Sequence, residues 1–253
     1  MKYTSEQLIG LIPAAGKGVR LGLPYPKELY PIIRDNRYKP VSQFVVENLT
    51  SAGVNHIVLV INETKHQLVG YFGDGHRFGC HLSYAVQEPR ESDTGSTSPG
   101  LADALNAAYH LVRDRIVCFG MADTIMTPKD TFLRVLQAGM DQDDVLLGLF
   151  KTTHPEKFGM VQMDPPGEVQ KIVDKPRNTQ LTDMWGLIVW KPSFTEYLNY
   201  CVSSCRINDF AQIMNRAIQD GLKFRGVLVQ GGEYADLGTY EEIQELEQMY
   251  RAS

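Results

Sequence analysis

Short apolar, β-branched runs alternate with stretches of helical periodicity through the first 150 or so residues, and this alternation most narrows the folds open to the chain. Leu8–Pro13 is an apolar run that ends in a glycine-rich turn. Val41–Ala52 carries helical spacing and meets Gly53, a residue suited to helix termination. Asn55–Ile61 (NHIVLVI) has the composition of a strand buried on both faces. The pattern recurs with a strand at Leu82–Val86, a helix at Leu101–Val112 entered through Pro99-Gly100, and a buried strand at Arg115–Gly120. It then gives a helix at Pro128–Ala138 with proline near its first turn, and a strand at Val145–Phe150. Strands separated by helices in this way predict parallel pairing, because a parallel neighbour needs a crossover long enough to hold a helix.

After about residue 155 the pattern changes. Phe158–Met163, Val169–Val173 and Met184–Trp190 read as strands joined by turns. Helices follow at Phe194–Cys201 and Asp209–Asp220, then a strand at Phe224–Val229 and a last helix from Thr239. The expectation is an α/β chain with a Rossmann-like, mainly parallel but mixed sheet flanked by helices. It forms one domain over 1–253, whose two halves divide near residue 150. Its 253 residues are enough to bury a full core. Arg90–Pro99 (RESDTGSTSP) is a polar loop placed where a flap over a site would lie.

Charge excludes some partners. A net charge of -5 supplies no global basic field, so nucleic acid is not expected as a partner. No apolar run approaches the roughly 20 residues that cross a bilayer, and the polar start lacks the apolar core of a secretory signal. Cys80, Cys118, Cys201 and Cys205 show no metal-ligand spacing and read as thiols in a reducing cytoplasm.

The first strand runs into Ala14-Ala15-Gly16-Lys17-Gly18-Val19-Arg20-Leu21-Gly22. A glycine-rich turn after a strand lets backbone N–H groups approach phosphate oxygens. A dinucleotide fingerprint needs a third glycine where Leu21 stands, and an ATPase phosphate loop needs Lys-Ser/Thr after its second glycine; both fail. What remains, small-small-Gly-x-Gly-x-Arg followed by Pro26-Lys27-Glu28-Leu29-Tyr30-Pro31, resembles the signature of the sugar-nucleotide pyrophosphorylases, which include glucose-1-phosphate thymidylyltransferase.

The resemblance continues in order along the chain. It takes in Lys39-Pro40, Gln87 with Pro99-Gly100-Leu101-Ala102, Phe119-Gly120-Met121-Ala122-Asp123, Glu156-Lys157-Phe158-Gly159, Asp174-Lys175-Pro176, Trp185-Gly186-Leu187 and Tyr234-Ala235-Asp236-Leu237-Gly238-Thr239. It implies a GT-A-like nucleotidyltransferase fold, with a nucleotide-binding half over about 1–150 and a sugar-binding half over about 151–253, and condensation of a nucleoside triphosphate with a sugar 1-phosphate, releasing pyrophosphate. Attack by a phosphate oxygen that is already an anion needs no general base, so catalysis rests on positioning, cations and a metal.

By the same resemblance Arg20 and Lys27 are the catalytic cations. Ala14, Ala15, Gly16, Gly18, Gln87 and Gly100 bind the nucleotide. Gly159, Asp174, Lys175 and Gly186 bind the sugar phosphate, and Asp123 with Asp236 holds one Mg²⁺. The triphosphate is expected to be dTTP or UTP ahead of CTP, although the short Arg20–Lys27 spacing is nearer that of the smaller cytidylyltransferases. Ala122 in place of glycine and Asp174 in place of glutamate depart from the family pattern. So does an early stop after the last motif, which implies a monomer or small homo-oligomer without the extension larger relatives use for tetramer contacts and feedback. The rival from another class is a regulatory homologue that binds nucleotide sugars and turns over poorly.

Overall fold

The computed structural model describes residues 2–18, 21–34, 37–88 and 100–251. Arg20 and the 90–99 loop therefore lie outside the described residues.

The first strand, β1 (Leu8–Pro13), is buried along its whole length. It is followed by a hairpin of β2 (Pro31–Arg34) and β3 (Arg37–Pro40), helix α1 (Val41–Ser51), β4 (His56–Ile61), α2 (His66–Phe72) and β5 (His81–Val86). Next come α3 (Leu101–Ala107), α4 (Tyr109–Val112), β6 (Ile116–Gly120), β7 (Thr124–Thr127), α5 (Thr131–Ala138) and β8 (Val145–Lys151). The remainder is β9 (Gly159–Asp164), β10 (Glu168–Asp174), β11 (Asp183–Trp190), α6 (Pro192–Ser203), α7 (Phe210–Gln219), β12 (Phe224–Leu228), β13 (Glu233–Asp236) and α8 (Tyr240–Arg251).

Among the described residues, nine strands form one sheet in the order β5-β4-β1-β6-β11-β8-β12-β10-β9. β5, β4, β1 and β6 are mutually parallel, as the alternation predicts. β11 enters antiparallel between β6 and β8, and β12 returns parallel to β8. β10 pairs antiparallel with both β12 and β9. Only β10 and β11 run against the rest, so the sheet is mixed but mainly of one sense.

Alternating side chains of the central strands feed two cores. Ile9 and Leu11 of β1 join the core beneath α3, α4, α6 and α7, while Leu8 and Ile12 join the core beneath α1, α2 and α5. This two-sided burial is why the central strands read as unbroken apolar runs. A third cluster (Ile32, Val41, Phe44, Ile125, Leu237, Ile243, Leu246) ties α8 to the β2–β3 hairpin beside the sheet.

Two expected helices differ from the structure. The helix expected over Leu101–Val112 is two pieces that meet at Ala108, which is fully buried and caps the first with its N–H on Leu105 and Asn106 carbonyls. The helix expected from Pro128 starts at Thr131, whose N–H donates to the Pro128 carbonyl at 3.2 Å, so the proline belongs to the turn that leads in. Cys80, Cys118 and Cys201 are buried and Cys205 is half-buried, all as free thiols. Among the described residues no helix is long and apolar enough to cross a membrane.

Candidate active site

In an open α/β sheet the crevice lies outside the carboxyl ends of strands where successive connections leave in opposite directions. Here that point falls between β1 and β6. From β1 the chain moves out through β4 to β5, then returns to place β6 on the other side of β1. The loops that begin at Ala14, Asn62, Gln87 and Met121 all leave from carboxyl ends of this parallel set.

Ala14 continues the β1 ladder by donating its N–H to the Val60 carbonyl at 2.7 Å, and the Ala15 carbonyl accepts from the Asn62 side-chain amide at 2.7 Å. The chain then turns outward through exposed Gly16 to half-buried Gly18, whose φ of 64° is left-handed backbone that glycine adopts without a Cβ penalty. Lys27 opens a 3-10 turn, Lys27–Leu29, closed by Leu29 N–H on Pro26 O and Tyr30 N–H on Lys27 O. Its ammonium crosses the crevice and ion-pairs with the Asp123 carboxylate, just beyond β6. Burial alone lowers the Lys27 pKa, but Asp123, and after it Glu28 and Asp236, outweigh that cost and raise it, so the side chain is a held cation.

Asp236 reaches the same place from far along the chain. The β13–β7 pair sets Asp236 opposite Thr124, and the Leu237 N–H donates to the Asp123 carbonyl at 3.0 Å. Two carboxylates and one ammonium thus converge at the end of β6. Tyr234 of the same strand packs edge-on to Phe158 and against Phe150. Burial, then Asp236 and Asp123, drives its phenol pKa well above the ordinary value, so it remains a neutral wall of the site.

The remaining nucleotide and sugar candidates are each held by a neighbouring strand or turn. Gln87 continues β5, its N–H on the Ile61 carbonyl at 2.8 Å, and its side-chain Nε2 is buried without a hydrogen-bond partner among the described residues. A buried amide in that state costs free energy unless something accepts from it, as a base edge does. Gly100 donates its N–H to the Asp103 carboxylate at 2.9 Å, and a Cβ there would meet the Asn208 carbonyl at 2.6 Å. The missing side chain is thus accounted for by the segment entering α7.

Gly159 pairs with Asp174 across β9 and β10, and a Cβ on Gly159 would strike the Trp185 indole nitrogen. Lys175 follows with φ of 44° and its N–H on the Phe158 carbonyl at 3.0 Å; the side chains of Asp174 and Lys175 are exposed. Gly186 sits at an irregularity of β11, where a Cβ would meet the Phe150 and Tyr234 rings at 2.7 Å.

A family model described as nucleotidyl transferase matches residues 9–253. The chain belongs to the nucleotidyl transferase family. Among similar proteins, glucose-1-phosphate thymidylyltransferase of Neisseria meningitidis is 26% identical over 245 residues, covering 93% of this chain and 80% of that protein. The low-salt glycan biosynthesis nucleotidyltransferase Agl11 of Haloferax volcanii is 25% identical over 249 residues, and the chain spans only 65% of its length. In fold, the chain superposes on a Bacillus anthracis protein assigned as a glucose-1-phosphate thymidylyltransferase, crystallised with sucrose, at TM-score 0.80 and 21% identity, with 97% and 96% of the two chains covered. A UDP-glucose pyrophosphorylase complexed with UDP-glucose gives TM-score 0.76 at 20% identity, covering 96% of this chain and 98% of that one.

Within this nucleotidyl transferase the structure brings together Lys27, Asp123 and Asp236 at one end of the crevice, and Gly159, Asp174 and Lys175 at the open end of the β9–β10 hairpin, away from its Asp164–Glu168 turn. Sequence reasoning missed Glu28, Asn62 and Lys65. Glu28 and Lys65 form an ion pair of 2.6 Å with side chains 2% and 3% exposed, next to Lys27. Burial raises the Glu28 pKa, and the Lys65 ammonium only partly opposes the rise. Lysine in a turn after a strand ordinarily reads as solvated, so nothing local announces the pair.

Proposed function

We propose that this chain condenses a nucleoside triphosphate, dTTP or UTP, with a sugar 1-phosphate to give a nucleoside diphosphate sugar and pyrophosphate. What carries the reading is the meeting of Lys27 with Asp123 and Asp236 at the carboxyl ends of β1 and β6, beside a glycine-rich turn open to phosphate. An oxygen of the sugar phosphate attacks the α-phosphorus. The new P–O bond forms as the bond to the β-phosphate oxygen breaks, and pyrophosphate leaves with that electron pair. The nucleophile arrives as an anion, so no proton has to be removed by the protein.

The charge gathered on the transferring group has to be met by fixed cations. Lys27 moves its ammonium from Asp123 to the α-phosphate, and Arg20, which the resemblance assigns to the triphosphate, steadies the pyrophosphate. The backbone N–H groups of Gly16 and Gly18 donate to phosphate oxygens, and Ala14 and Ala15 floor the nucleoside. Gln87 accepts and donates to a pyrimidine edge through its amide, which answers the unpartnered Nε2, and Gly100 borders the base. Lys175 takes the phosphate of the incoming sugar and Asp174 its hydroxyls, with Gly159 lining that side and Gly186 seating the Phe150 and Tyr234 rings behind it.

A divalent ion suits this donor set. Two neighbouring carboxylates give the hard oxygens that Mg²⁺ prefers, and Mg²⁺ usually takes one or two carboxylates with phosphate and water completing its shell. Among the described residues no cluster of three or more His, Cys, Asp or Glu offers a richer cage. Asp123 and Asp236 would hold the ion, which when bound neutralises charge on the phosphate oxygens. Substrates of this kind place the work in the cytoplasm. The test is pyrophosphate release from a grid of triphosphates and sugar 1-phosphates with Mg²⁺. Tight binding of nucleotide sugars with no release from any pair would instead mark a regulatory homologue.

A further inference from the structure

The segment after β4 reaches the candidate site at two points. Asn62 donates from its side-chain amide to the Ala15 carbonyl at 2.7 Å, holding the glycine-rich turn. Its Oδ1 accepts from the Thr64 N–H at 2.9 Å and from the Thr64 hydroxyl at 2.7 Å, capping the 3-10 turn Glu63–Lys65. At the end of that turn the Lys65 ammonium pairs with Glu28, the neighbour of Lys27 in its own 3-10 turn. The Ser42 hydroxyl donates to the Glu28 carbonyl at 2.6 Å and pins that turn from the other side. A Cβ built on Gly18 would lie 3.7 Å from Lys27 Cγ and 4.0 Å from Lys65 Nζ, so the glycine turn, the Lys27 stem and the Lys65 ammonium pack together.

Burying two charges is an expensive way to hold a fold. The attraction between partners seldom exceeds the hydration they give up, and an apolar pair of equal volume is as stable or more so. What the ion pair adds is direction: a single separation and orientation between two turns, where an apolar contact allows them to slide.

We propose that Asn62, Lys65 and Glu28 form a brace that sets the gap between the glycine-rich turn and Lys27, so that both engage one triphosphate. The proposal rests on the nucleotidyl-transfer reading above. The three are positioning residues: one end of the brace fixes the loop that receives the phosphates, and the other fixes the turn that carries the cation. Because Gly16, Gly18 and Lys27 meet the same ligand, a shift between the two turns weakens triphosphate engagement while leaving the β9–β10 sugar side untouched.

The experiment compares the parent with Lys65→Met, the charge-free pair Glu28→Leu with Lys65→Met, and Asn62→Ala. Each is followed by thermal melting, by calorimetric titration with dTTP and UTP in Mg²⁺ without sugar phosphate, and by steady-state turnover. Lys65→Met alone strands the Glu28 carboxylate and lowers the melting temperature. Adding Glu28→Leu restores melting but not triphosphate affinity, which stays roughly tenfold to a hundredfold weaker, as misplacing a binding turn by about an ångström entails. Asn62→Ala weakens triphosphate binding in the same sense, and KM for the sugar 1-phosphate is unmoved in both.

A charge-free pair that binds triphosphate as tightly as the parent overturns the brace, since the ion pair is then only packing. Should the double variant not fold, unchanged triphosphate affinity in Asn62→Ala overturns it as well. A parent that binds no triphosphate removes the nucleotidyl-transfer reading and the brace together. A parent that binds and turns over beside unaffected variants removes the brace alone.

Discussion

Gly186→Ala separates spacing from contact at one edge of the site. The added Cβ would lie 2.7 Å from Phe150 Cδ2 and Cε2 and from Tyr234 Cδ2. Carbon atoms pack best at about 3.5 to 4.0 Å, so the methyl intrudes by roughly 1 Å on two rings at once. Neither ring has room to retreat. Phe150 is buried in the core, and Tyr234 is wedged between Phe150 and Phe158, its ring centroid 5.6 and 5.7 Å from theirs.

Overpacking of this kind costs about 1 to 3 kcal/mol, which in a chain of this size lowers the melting temperature by roughly 2 to 12 °C. The cheaper relief is a shift of β13, which carries Tyr234 and Asp236 together. Turnover should therefore drop while KM for the sugar 1-phosphate changes little. Scanning calorimetry beside steady-state kinetics checks both. A melting temperature within about 1 °C of the parent would refute the packing argument. If that came with a raised KM for the sugar phosphate, Gly186 would be a ligand contact and not a spacer.

Lys27→Met should retain the fold and lose at least about a hundredfold in turnover, because the cation aimed at the transferring group is gone; near-parental rates would misplace the site. Asp236→Asn should raise the Mg²⁺ concentration needed for half-maximal activity, and an unaltered Mg²⁺ titration would show that this carboxylate does not hold the ion. Glu242 gives a pH dependence. Burial pushes its pKa up, but the Lys157 ammonium at 3.0 Å and the Gly238 and Thr239 N–H groups bring it below the ordinary 4.5. A carboxyl lowered in the folded state contributes stability above its unfolded pKa and loses it as pH falls through the folded value. Glu242→Gln should thus melt lower than the parent near pH 7, with the gap closing below about pH 4.5; a constant gap across a melting series would contradict the assignment.

The parts of this fold legible in sequence are those whose side chains face two cores. Leu8–Pro13, His56–Ile61 and Ile116–Gly120 are buried nearly throughout and stand out as apolar runs. β7, β13 and the β2–β3 hairpin escaped because each strand is four residues long and none repeats its pattern far enough to count. The break at Ala108 has no local signal in Asn106-Ala107-Ala108-Tyr109; packing over the sheet decides it. At the candidate site the ordered motifs single out Lys27, Asp123 and Asp236, and the β7–β13 register is what sets Asp236 beside Asp123. Glu28 and Lys65 were invisible because charge in a turn implies solvent, and only the neighbouring turn reveals where each one goes.

The β7–β13 ladder also bears on biosynthesis. Asp123 and Lys27 leave the ribosome long before the strand that delivers Asp236, and Leu237 joins the Asp123 carbonyl only once that strand has docked. A growing chain stalled before β13 would hold its first strands and Lys27 yet lack the carboxylate of Asp236. Docking of β13, and not merely assembly of the central sheet, is what brings the second carboxylate to Asp123.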